Sequence, residues 1–157
     1  MPAKNFYRSA LITGLIAGAL DLSGAIISFM ISNDRFPEKI LETIAGGFFG
    51  KDAMTGGWVM KGWGLFFHFF TTIAFTFFYF FLYPRIKFLQ KNIFLSAFIY
   101  GLFVWAVMNM IVLPLSAYHS PVIKSDYTKA AKEAFILIVC IGLPVAIGAK
   151  AYYKRKL

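Results

Sequence analysis

Four polar side chains stand out in this sequence for the chemistry they could do together. Asp21 is the single charge in "ALITGLIAGALDLSGAIISFMI", residues 10–31. His68 and Thr72 lie one helical turn apart in "GWGLFFHFFTTIAFTFFYFFLY", residues 62–83, and Asn109 lies in "IFLSAFIYGLFVWAVMNMIVLP", residues 93–114. A carboxyl beside an imidazole can pass a proton, and histidine changes charge near neutral pH. Thr72 and Asn109 offer a hydroxyl and an amide to hold such a pair in place. Acids and histidines inside apolar spans are costly, and they mark ion paths and proton relays in pumps and transporters. The same residues also suit a satisfied polar cluster that fixes helix register and nothing more. Both readings stay open on the sequence.

The elements that carry these residues must bring them to one depth. On a helix, Gly14, Gly18, Asp21, Ala25, Ser28 and Ser32 share a face by steps of three and four. Gly14 and Gly18 form a GxxxG pair, which lets a second helix approach closely. Asp21 is therefore expected in a helix interface, about 16 Å from the start of its run. With alternate runs crossing in opposite directions, His68 and Asn109 fall at similar depth, with Asp21 about one turn deeper. Thr72 comes out level with Asp21. A network of Asp21, His68, Thr72 and Asn109 requires the first three spans to face one another.

Composition defines the class. The chain has 157 residues, 59% hydrophobic and only 15% charged, with 19 Phe and a mean hydropathy of +0.69. Soluble domains carry about 25% charged residues. Four runs reach the roughly 20 apolar residues that cross a bilayer: 10–31, 62–83, 93–114 and 134–152. The expected fold is an all-α membrane protein, one four-helix transmembrane domain over residues 1–157. The first run is too long for a signal-peptide core, contains an acid and lacks a small-x-small cleavage site, so it reads as a retained span. Pro144 should kink the fourth span. The net charge of +9 does not indicate nucleic acid, because the basic residues cluster where apolar runs end.

Those basic residues orient the chain. Segments 1–9, 84–92 and 150–157 carry nine Lys and Arg in 26 residues, against seven in 49 for segments 32–61 and 115–133. The denser set belongs in the cytoplasm, placing both termini inside. Trp58, Trp63, Tyr83, Tyr118, Tyr152 and Tyr153 fall near the span ends, where aromatic belts form. The first outer loop, residues 36–58, has structure of its own. Pro37 suits a first helical position, and Phe36, Ile40, Ile44 and Phe48 recur every fourth residue, as in a short amphipathic helix lying on the surface. A Gly-rich stretch with Gly46, Gly47, Gly50, Gly56 and Gly57 follows, suited to tight turns or a return onto the bundle.

Other chemistry finds little support. "GFFGKD" has the wrong spacing for a phosphate loop, with Asp52 where a magnesium-binding hydroxyl would stand. His119 is expected at the outer surface, at a depth different from His68, which argues against paired haem ligands. Asp21, His68 and Asn109 make a thin ligand set for a transition metal, so no metal or cofactor is expected. The single Cys140 lies in an apolar run without a partner for a disulfide or thiolate cluster. Glu133 and Lys61 fit end capping and snorkelling. No Ser/His/Asp order, paired acids or HExxH motif points to an enzyme.

"IAGGFFGKDAMTGG" at 44–57, "GLFFH" at 64–68, "YGLFVWAVMNMIVLPLS" at 100–116 and "GLPVAI" at 142–147, with Asp21, resemble a widespread family of small uncharacterised bacterial membrane proteins related to YagU. The matching positions are Asp21, Gly46, Gly50, Gly56, Gly57, His68, Asn109 and Pro114. The resemblance implies a bacterial inner membrane and four spans, and implies no activity. The expected function is proton- or ion-linked transport through the Asp21, His68, Thr72 and Asn109 site, in a lipid bilayer and as a homodimer, since four spans barely enclose a path. The alternatives are an interaction or structural subunit, and a lipid-binding membrane protein or enzyme with an outward-facing cleft.

Overall fold

A computed structural model describes residues 4–117 and 127–154. His119, with Tyr118 and Asp126, lies outside the described residues. Among those described the chain is helical, without a strand. Helix α1 spans Lys4–Asn33, α2 Ile40–Phe49, α3 Gly57–Leu82, and the short α4 Lys87–Lys91. Helix α5 runs Ile93–Leu115 and α6 Tyr127–Lys154. The helices α1, α3, α5 and α6 are each long and apolar enough to cross a membrane. They alternate in direction, so that the start of α1 and the end of α6 meet at one end of the bundle, where Phe6 packs on Tyr152, and α2 sits at the other.

Helix α1 packs against α3 and α6, and α5 packs against α6, which leaves α5 diagonal to α1. Small residues set the closest approaches. A Cβ added at Gly14 would stand 3.0 Å from the Ile73 Cα. One added at Gly142 would collide with the Ala97 carbonyl oxygen, and one at Gly101 with the Ile138 backbone. Backbones meet this closely only where side chains are absent. The α3–α5 contact is wider and is filled by aromatic rings. There Tyr79 bonds Ser96, the Tyr100 hydroxyl donates to the Phe75 carbonyl at 2.5 Å, and Phe78 stacks on Phe103.

The end of the bundle that carries the termini is an aromatic core. Tyr83 stacks on Tyr153, Tyr152 packs on Phe6 and Phe80, and Tyr83 and Tyr152 are buried. The sequence reading gave Tyr83, Tyr152 and Tyr153 to an interfacial belt. They close the bundle instead, because three helix ends converge there and rings fill the gap. Trp58, by contrast, stands 85% exposed. Asn92 starts α5, its side-chain oxygen accepting from the Phe94 and Leu95 N–H groups at 3.0 and 3.2 Å. Asn92→Ala should cost about 1 kcal/mol in thermal unfolding of the detergent-solubilised protein, the usual worth of such a cap.

Two segments are π-helical, Met108–Val112 in α5 and Ile138–Gly142 in α6. Each ends two residues before a proline, Pro114 or Pro144. Proline has no N–H for the carbonyl four residues back and clashes with it. The wider turn removes the clash: Leu113 N–H bonds the Met108 carbonyl, and Leu143 N–H the Ile138 carbonyl, both five residues back. The distortion expected at Pro144 takes this form, and Pro114 produces a second one.

Helix α2 differs from the surface helix read from its spacing. It begins at Ile40 rather than Pro37, and its buried residues are Glu42, Ala45 and Gly46, while Phe36 and Phe48 are exposed. The cause is Gly64 of α3, where a Cβ would strike the Leu41 carbonyl oxygen. That bare backbone lets α2 press against α3 on its Glu42 side, with Glu42 Oε1 3.7 Å from Lys61 Nζ. Gly50 (φ +69°, ψ −149°) ends α2 in a positive-φ conformation that glycine adopts without a Cβ clash. The Ala117 N–H donates to the Gly47 carbonyl at 2.8 Å, tying α2 to the end of α5.

Candidate functional site

Asp21, His68 and Thr72 lie around the α1–α3 crossing. Gly14 faces Ile73 and Thr76, and Gly18 faces Phe69 and Thr72. This antiparallel register brings Asp21 level with His68, where the depth estimate had placed His68 a turn away. The imidazole leans toward the chain termini: its Nε2–H donates to the Gly18 carbonyl at 2.8 Å. Gly18 is where this bond can form, because without a side chain it admits the α3 residues beside it. The donor at Nε2 leaves Nδ1 as the acceptor of the neutral ring.

Asp21 is half-buried beside this bond. Its carboxylate is within electrostatic reach of His68 and also of Cys140 on α6. Cys140 was read from the sequence as an isolated thiol. It meets α1 at Gly24, where an added Cβ would lie 3.1 Å from Sγ. Among the described residues no hydrogen bond is made by the Asp21 carboxylate. It therefore sits within electrostatic reach of an imidazole and a thiol, with no donor fixed to either oxygen among the described residues.

Thr72 and Asn109 do not complete the network drawn from their depths. The Thr72 hydroxyl donates to the His68 carbonyl at 2.9 Å, within its own helix, and Thr76 repeats the pattern onto Thr72 at 2.8 Å. Asn109 is on α5, diagonal to α1, and its Nδ2 donates to the Trp105 carbonyl at 2.9 Å. The buried Asn109 Oδ1 and Trp105 Nε1 have no partner among the described residues, and the same holds for Glu42 Oε2. The arrangement is thus a pair, Asp21 and His68, with Thr72 bracing the α3 backbone and Asn109 elsewhere in the bundle. Gly46, Gly50, Gly56 and Gly57 serve α2 and the turn into α3.

A groove of about 290 Å³ runs between α1 and α6 toward the α2 end, lined by Gly24, Ile27, Ser28, Ile31, Ser32, Lys132, Phe135 and Ile136. Neither Asp21 nor His68 lines it, and its floor at Gly24 is one turn from Asp21. Among the described residues no three His, Cys, Asp or Glu side chains converge as metal ligands. No family model, curated protein or solved structure matches the chain.

Proposed function

We propose that this is a small integral protein of the bacterial inner membrane, related to the YagU-like family, with both termini cytoplasmic. In this reading Asp21 and His68 exchange a proton and couple it to movement of an ion or small solute. The membrane part rests on the exterior. Leu15, Ile16 and Leu20 on α1, Phe66, Phe70 and Phe81 on α3, and Phe94, Phe98 and Met110 on α5 all stand exposed. An apolar surface of this extent would aggregate in water and is stable against lipid. The proton part rests on one observation: Asp21 lies within electrostatic reach of His68 in the middle of an apolar helix, with no hydrogen bond among the described residues fixing its charge state. A homodimer would supply the further walls that four helices lack.

The test is proton flux into liposomes carrying the purified protein and an internal pH dye. Wild type should dissipate an imposed pH gradient, and Asp21→Asn should slow this at least tenfold at equal reconstitution. Equal rates for the two proteins would sink the proposal. The second reading, a structural cluster, draws support from the His68 bond to Gly18, which ties α3 to α1 at their closest contact. Under it, Asp21→Asn changes unfolding temperature and leaves flux at the level of empty liposomes for both proteins.

A further inference from the structure

We infer that the groove between α1 and α6 holds one acyl chain of an anionic phospholipid, with Lys132 and Ser32 receiving its phosphate. This rests on the membrane reading above and is independent of the proton reading. At Gly24, α1 meets α6 through Ile136 and Cys140. Beyond that point toward the α2 end the helices leave space between them. On the α1 side the wall comprises Ile27, Ser28, Ile31 and Ser32; on the α6 side it comprises Phe135 and Ile136. Ile31 and Phe135 are 81% and 66% exposed, so the groove opens sideways, as a chain entering from a bilayer needs.

The mouth carries the polarity. Among the described residues Lys132 is the one charged residue lining the groove, and its Nζ reaches Ser32 Oγ at a long 3.5 Å. Lys132 follows the helix one turn beyond Ile136, and Ser32 lies one turn beyond Ser28. A cation and a hydroxyl therefore stand together at the span's end, where lipid phosphates lie. The neighbouring acid, Glu133, interacts with Lys129. An apolar channel ending in an ammonium that has no carboxylate in ion-pair contact among the described residues matches a chain ending in an anion. In a bilayer, an acyl chain leaves other chains to enter the groove, so little hydrophobic free energy separates bound from free lipid. Discrimination must come from the headgroup, and one Lys near an anionic surface is worth about a fivefold preference.

The experiment uses detergent-purified protein in mixed micelles with phosphatidylglycerol or phosphatidylcholine of identical chains, and counts retained lipid by native mass spectrometry. Wild type should retain phosphatidylglycerol about fivefold over phosphatidylcholine. Lys132→Gln should bring the two to parity, and Lys51→Gln, on the turn after α2, should keep the preference. Ser28→Leu should fill the groove and reduce retention of both lipids. Parity in wild type overturns the inference, as does a preference that survives Lys132→Gln or is lost in Lys51→Gln. If Ser28→Leu does not fold, the two lysine variants still decide. Carbonate extraction separates the outcomes. Wild type released from membranes defeats the membrane reading, whereas embedded wild type without lipid preference defeats the groove alone.

Discussion

Gly142→Ala should destabilise the protein by about 3 kcal/mol or more, at the upper end for inserting atoms into a packed core. The added Cβ would meet the Ala97 carbonyl and the Gly101 amide nitrogen, which are backbone atoms of α5. A flexible side chain could swing aside, but a helix backbone moves only as a body. Gly142 also closes the π segment that accommodates Pro144, so α6 is constrained from both sides there. The control is Gly62→Ala in α3, where an added Cβ meets nothing within 4 Å. Alanine is a better helix former than glycine, so that change should be neutral or stabilise by up to about 1 kcal/mol. Unfolding in mixed detergent micelles should place the variants about 3–4 kcal/mol apart. Equal stabilities would mean that α5 and α6 do not meet backbone to backbone.

The four long helices could be read from the chain because each shows as an uninterrupted apolar run of the length that crosses a bilayer. Their ends could not. Helix α6 starts at Tyr127 and runs through Lys129, Lys132 and Glu133, because Ala, Lys and Glu all favour helix whatever their hydropathy. The small face of α1 was legible from Gly14 and Gly18 at a four-residue step, and both glycines do face α3. What they face is a matter of neighbours, which no single run encodes. Asn109 had the right depth but lies on the helix diagonal to α1. Cys140 gave no signal in the sequence, yet it sits opposite Gly24 within reach of Asp21. Glu42 lies off the apolar face formed by Phe36, Ile40, Ile44 and Phe48, yet it is buried, for a related reason. Its burial depends on Gly64 and Lys61, two positions on another helix that leave room for its backbone and answer its charge.

His68 is the residue whose substitutions separate a titrating site from structural glue. The Nε2–H to Gly18 bond is a neutral donor's task, and a glutamine side-chain amide can perform it. His68→Gln should therefore keep the α1–α3 contact and unfold within about 1 kcal/mol of wild type. His68→Ala leaves the buried Gly18 carbonyl unsatisfied on that side and opens a gap against Phe69, so it should cost about 2–3 kcal/mol. Glutamine has no pKa in the working range, however. If Asp21 and His68 share a proton, His68→Gln should abolish the pH-dependent flux while the fold persists, and Asp21→Asn on top of it should remove nothing more. Flux through a pair acting as one unit is lost with either member. Retained pH dependence in His68→Gln, together with a stability loss only in His68→Ala, would assign His68 to packing. In that case the carboxylate of Asp21 would have to titrate against Cys140 or alone, and the double variant would then lose flux that His68→Gln had kept.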